Sequence, residues 1–142
     1  NGDTLVDLDL GALCQFHHQR EAVATLVLRK DSEAARWGLV EMDSGNRIVR
    51  ITGRGREDLA PTQPRMFAGI HVLHTRLLRD VPKDKESSII DPYVVAIQQG
   101  EIVLGYDCEG YWSDIGTPER YAQAEQDAAA GRITLASRQL PV

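Results

Sequence analysis

Apolar positions first recur at helical spacing in Asp9–Gln19, where Leu10, Leu13, Phe16 and His17 fall three or four apart. Ala22–Leu28 is a continuous β-prone apolar run, short enough for a buried strand. Gly38–Met42 and Ile48–Ile51 read as strands joined by Asp43-Ser44-Gly45-Asn46, residues that tolerate the positive φ of a hairpin turn. Gly53–Pro64, rich in Gly, Arg and Pro, reads as loop, Met66–Leu73 as a strand and Thr75–Arg79 as a short helix. A helix over Ser87–Gln99, interrupted near Pro92, is expected to end at Gly100, with a strand at Ile102–Tyr106. Thr117 can cap a closing helix, Pro118 suits its first position, and Gly131 follows its Ala-rich end. Helices and strands interleave without repeats, which predicts an α/β sandwich whose hairpin adds antiparallel character.

Length makes the 142 residues one domain, 1–142, large enough to bury a core. A net charge of −5 argues against a nucleic-acid partner, because a phosphate backbone rewards Lys and Arg. It leaves nucleotide binding open, since a metal ion neutralises phosphate locally. No apolar run approaches the roughly 20 residues of a membrane span. Cys14 and Cys108 lack CxxC spacing and read as buried free thiols of a reducing cytoplasm.

Two acidic residues stand out. Asp3 follows Gly2 at an expected strand end, where open α/β sheets place ligands. Asp114 lies in a turn bounded by Gly116, just before a helix N-terminus. Either one alone is an ordinary turn-former. Together they suit a Mg²⁺ held by two carboxylates and completed by phosphate oxygens.

Asn1-Gly2-Asp3 resembles the NGD motif of the sugar-1-phosphate nucleotidyltransferases, and Trp112-Ser113-Asp114-Ile115-Gly116-Thr117-Pro118-Glu119-Arg120-Tyr121 resembles their W-x-D-[IV]-G-T-P-E-R-[YL] stretch. Between them, Trp37-Gly38-Leu39-Val40 is similar to the Y-G-x-V segment and Phe67-Ala68-Gly69-Ile70-His71-Val72 to the F-x-G-I-x-V strand. The resemblance spans the whole chain, in order. It implies a Rossmann-like three-layer sandwich with a mixed central sheet, of the nucleotide-diphospho-sugar transferase type and incomplete at its N-terminal side. It also implies a Mg²⁺-dependent reaction of an NTP with a sugar 1-phosphate. Asp3 and Asp114 would hold the metal, and Gly2, Gly38, Ala68 and Gly69 would lie along the substrate.

Two departures qualify the resemblance. The family's G-x-G-T-R loop, which cradles the nucleotide phosphates, has no counterpart here, so the N-terminal half of the domain is expected to be missing and the fragment alone inactive. Where many members carry E-K-P, this chain has Thr52-Gly53-Arg54-Gly55-Arg56-Glu57, a loop more like the N-acetylmuramate-1-phosphate uridylyltransferases and mannose-1-phosphate guanylyltransferase-like proteins. Arg54 or Arg56 could replace the lysine as a phosphate contact, or form a solvated basic loop.

Two other functions compete. Asp7-Leu8-Asp9 imitates the DxD motif of glycosyltransferases, although Asp9 also suits the N-cap of the first helix. A non-catalytic sugar-phosphate-binding domain is the second alternative. The pairs His17/His18 and His71/His74 have spacings that point them apart, and all four read as satisfied or exposed.

Overall fold

The computed structural model describes residues 2–32, 34–61, 63–79 and 81–133, which fall into two compact units, 2–10 with 109–133 and the described residues of 11–108. The first unit is a two-stranded antiparallel ribbon of β1 (Thr4–Val6) and β8 (Trp112–Asp114), followed by α4 (Pro118–Ala129). The pairing runs Thr4 with Asp114 to Val6 with Trp112 and is prolonged by the Asp7 N–H donating to the Tyr111 carbonyl at 2.8 Å. A Cβ on Gly110 would stand 2.4 Å from the Asp7 carbonyl oxygen, so only glycine lets the two chains close there. The Asp127 carboxylate ties the helix down: it accepts from the Tyr111 hydroxyl at 2.8 Å, the Gln123 amide at 2.9 Å and the Arg132 guanidinium at 2.7 Å.

The second unit contains a six-stranded mixed sheet in the order β5-β4-β3-β6-β2-β7. Its strands are β2 (Ala24–Arg29), β3 (Leu39–Met42), β4 (Ile48–Ile51), β5 (Arg54–Gly55), β6 (Gln63–Leu73) and β7 (Val103–Asp107). β2 runs parallel to β7 and antiparallel to β6, and β3 pairs antiparallel with β4 and β6. Residues Ala24 to Leu28 are buried on both faces, which is why their sequence is a continuous apolar run. The core gathers Leu26, Leu28, Val40, Met42 and Ile51 with Tyr93, Val94 and Ile97 of α3 (Ile90–Gln98). The remaining helices are α1 (Leu10–Gln19), the single turn α2 (Ala34–Trp37) and a 3₁₀ turn at Thr75–Leu78.

The hairpin between β3 and β4 turns where expected. Asp43 Oδ1 accepts from the N–H groups of Gly45 and Arg47 at 2.8 and 2.9 Å, and Asn46 takes φ +64°. Four expectations are corrected. The span 53–64 is not all loop: Thr52 and Gly53, at φ +50° and +76°, turn the chain into β5, and Gln63 already belongs to β6. Pro92 does not interrupt α3, because it stands in the first turn, where no intrahelical donor is needed. Asp3 precedes a strand rather than ending one. Cys14 is exposed, and only Cys108 is buried.

Candidate cation site

The first unit brings Asp3 and Asp114 together. Asp3 stands one residue before the Thr4–Asp114 pair, and its carbonyl accepts the Ile115 N–H at 2.7 Å, so the ribbon holds the two backbones side by side. The chain then turns through an Asx-type hydrogen bond, Asp114 Oδ1 accepting the Gly116 N–H at 2.8 Å. Thr117 caps α4 in extended conformation, with the Arg120 N–H donating to its hydroxyl at 3.3 Å. Pro118 follows at the start of the helix.

Gly116 reports where the two carboxylates point. A Cβ built there would lie 2.7 Å from Asp3 Oδ2 and 3.0 Å from Asp114 Oδ1. Its φ is outside the left-handed region, so the glycine provides space and not conformational freedom. The space beside it is a cradle faced by an oxygen from each carboxylate. Two like charges converging on one small volume repel each other, and a divalent cation turns that repulsion into attraction. Mg²⁺ is commonly held by one or two carboxylates with the rest of its octahedron left to water and phosphate, and this donor set suits it. Among the described residues no group of three or more His, Cys, Asp or Glu is arranged for a metal, so further ligands would come from outside this set.

One basic residue of the motif, to which the sequence assigns no role, faces Asp114. Arg120 Nη1 donates to Asp114 Oδ2 at 2.9 Å, with the Arg120 side chain 38% exposed and that of Asp114 23%. Its signal was available: an arginine three residues into a helix capped by Thr117 is aimed back toward the capping turn.

The other candidates are placed as follows. Gly2 is exposed beside Asp3, with open space where a Cβ would stand. Gly38 takes φ +110° before β3, again with open space around it, and Gly69 takes φ +83° where the β2–β6 register shifts. Ala68 is 1% exposed, so its side chain belongs to the core. Arg54 is ion-paired to Asp91 at 2.9 Å. Arg56 Nε donates to Asp58 at 2.9 Å, and that guanidinium holds the Asp58 carboxyl below its usual range. Both arginines are thus engaged within the second unit. Asp7 is half-buried with its backbone tied to Tyr111, and Asp9 is exposed immediately before α1.

The histidines are not all satisfied or exposed. His17 is buried and shares a 2.9 Å hydrogen bond with Thr25 Oγ1; burial lowers its pKa, with His18 and His74 adding to the shift. His18 bonds the Cys14 carbonyl at 2.7 Å, and His74 Nδ1 accepts the Arg76 N–H at 3.1 Å. His71 departs from expectation: its Nδ1 is buried without a hydrogen-bond partner among the described residues, and burial lowers its pKa. Sequence reasoning also passed over Arg65. It is 5% exposed and bidentate to Asp107 at 2.7 and 3.0 Å, with Gln63 at 2.7 Å.

Residues 1–131 match the family model described as nucleotidyl transferase, and the chain belongs to that family. A mannose-1-phosphate guanylyltransferase of Mycobacterium tuberculosis (strain ATCC 25618 / H37Rv) is 28% identical over 133 residues, covering 92% of this chain and 36% of the relative. A Bacillus anthracis structure assigned as a glucose-1-phosphate thymidylyltransferase, in complex with sucrose, superimposes with a TM-score of 0.69 at 18% identity, over 96% of this chain and 55% of that one. HddC from Yersinia pseudotuberculosis gives a TM-score of 0.63 at 20% identity, over 90% and 53% of the two chains. At these identities the structures establish a shared fold, the mixed α/β architecture expected from the sequence. The chain therefore spans about a third of the curated relative and about half of the solved chains it matches.

No helix among the described residues is long and apolar enough to cross a membrane.

Proposed function

We propose that this chain carries the cation-binding part of a sugar-1-phosphate nucleotidyltransferase, and that Asp3 and Asp114 hold a catalytic Mg²⁺. The convergence of both carboxylates on the Cβ-free space at Gly116 carries this reading. It joins the first and last of the four motifs in the order the family uses them. When bound, the cation would neutralise charge on the phosphates of an NTP. The sugar-phosphate oxygen would attack the α-phosphorus in line, with pyrophosphate leaving. That nucleophile is already anionic, so no general base is required, and the chain's own task is positioning and electrostatic stabilisation.

The open space beside Gly38 and the positive-φ bulge at Gly69 are the surfaces we assign to the sugar. Arg54 and Arg56 pair with Asp91 and Asp58 at the surface, and such weak pairs leave either guanidinium able to turn to a substrate phosphate. We place the reaction in the cytoplasm, where Cys14 and Cys108 remain free thiols.

Pyrophosphate release by the full-length protein, measured with each NTP and a panel of hexose 1-phosphates in Mg²⁺, tests the reading. Asp114→Asn should lower the rate about 100-fold or more, the scale seen when a charge-stabilising group is removed. Turnover that survives this change, or nucleotide-sugar consumption that requires an acceptor instead, would replace the proposal with another chemistry.

A further inference from the structure

Asp114 has both carboxylate oxygens engaged: Oδ1 by the Gly116 N–H at 2.8 Å and Oδ2 by Arg120 at 2.9 Å. The first bond is part of the turn and places Oδ1 at the cradle. The second is different in kind, because it brings a full positive charge to the carboxylate that a cation would use. Arg120 is itself anchored, its Nε donating to Thr117 Oγ1 at 3.4 Å, so the guanidinium is held at the helix start. Its side chain is 38% exposed, leaving room to swing into solvent.

From this geometry we infer that Arg120 is an internal counter-ion, which competes with the divalent cation for Asp114. The inference rests on the reading of Asp3 and Asp114 as cation ligands. With no cation present, Arg120 neutralises Asp114 and relieves its repulsion with Asp3. An arriving cation must share Asp114 with the guanidinium or displace it, and either route weakens binding of the bare ion. The opposing effect, loss of orientation when Arg120 is removed, is the smaller one, since the Gly116 N–H still fixes Asp114 Oδ1. At a partly solvated site, removing one neighbouring positive charge should change cation affinity by about tenfold. Arg120 thus sets a threshold that keeps the site from filling with free metal.

The test is Mn²⁺ binding to the chain, read from the electron paramagnetic resonance signal of the free ion at low salt. Arg120→Gln keeps a donor but removes the charge, and should bind Mn²⁺ about tenfold more tightly than wild type. Arg120→Lys keeps the charge and should bind as wild type does. A purely structural arginine would give the opposite pattern, with both variants weakened. Circular dichroism establishes that α4 forms, and Arg120→Met replaces the Gln variant if it does not fold. Equal or weaker binding in the folded, uncharged variant overturns the inference. Asp3→Asn with Asp114→Asn separates the two claims. If the double variant abolishes binding while Arg120→Gln fails to tighten it, only the counter-ion role falls. If the double variant binds Mn²⁺ normally, the cation site itself is wrong.

Discussion

The two units of this chain are held together by different forces. Among the described residues of the first, Ala124 is the one buried apolar side chain, and every other residue of the buried apolar core belongs to the second. The ribbon and α4 are joined instead by polar bonds. Asp127 gathers Tyr111, Gln123 and Arg132, Thr117 caps the helix, and Arg120 faces Asp114. The sheet unit buries Leu26, Leu28, Met42 and Ile51 and keeps few polar groups inside, Arg65 among them. A site that gathers charge needs neighbours that donate, accept and leave space. A core that supplies stability needs neighbours that only fill it. The same chain meets these requirements in separate places.

The contrast predicts unequal responses to mutation. Leu28→Ala removes a side chain with no exposed surface from β2 and should cost about 3 kcal/mol, read as a shift in the urea midpoint. Asp127→Ala in the first unit should leave that midpoint nearly in place and increase amide exchange along α4 alone. Equal effects of the two would mean that the units share one source of stability.

Gly116→Ala sharpens the comparison from the other side. The new methyl group would stand 2.7 Å from Asp3 Oδ2, in the cradle, with no demand on a left-handed φ. Cation affinity should fall about tenfold or more, within the range that disturbance of a metal site's surroundings produces, while the unfolding midpoint barely moves. An unchanged affinity would show that the space at Gly116 is not where the cation sits.

The smallest effect expected is on pH dependence. Burial lowers the folded-state pKa of His71, and burial followed by His18 and His74 lowers that of His17. Below the unfolded value, near 6.5, the unfolded chain then binds more protons than the folded one, so stability falls as pH drops through that window. It is fully present above it. Unfolding midpoints between pH 7.5 and 5 should decline, and replacing His71 with Gln should flatten part of the slope.

Much of this was legible in the sequence, for reasons that differ by element. The continuous run at Ala22–Leu28 was short enough for a buried strand, and β2 takes up most of it, while Thr117-Pro118 announced α4 through capping chemistry. β1, β8 and α2 are three or four residues long, too short for any period to register. β5 escaped because its turn uses Thr52 at φ +50°, a conformation that β-branched residues rarely adopt and that no composition rule would place there.

The site divides in the same way. Asp3 and Asp114 were readable as motif members, but their convergence depends on the β1–β8 register, which joins residues far apart in the chain. Arg120 lies within a motif that assigns it no role, and nothing in the pattern around Arg65 signals its burial. Its burial follows from Asp107 at the end of β7, a long-range partner that local pattern cannot supply.

Calorimetric titration of Mg²⁺ into the wild-type chain and into Asp3→Asn/Asp114→Asn tests the central claim most directly. The carboxylate pair predicts one saturable site in the wild type and none in the double variant, with both proteins equally folded by circular dichroism. Identical isotherms for the two would contradict it and remove the cation from the first unit.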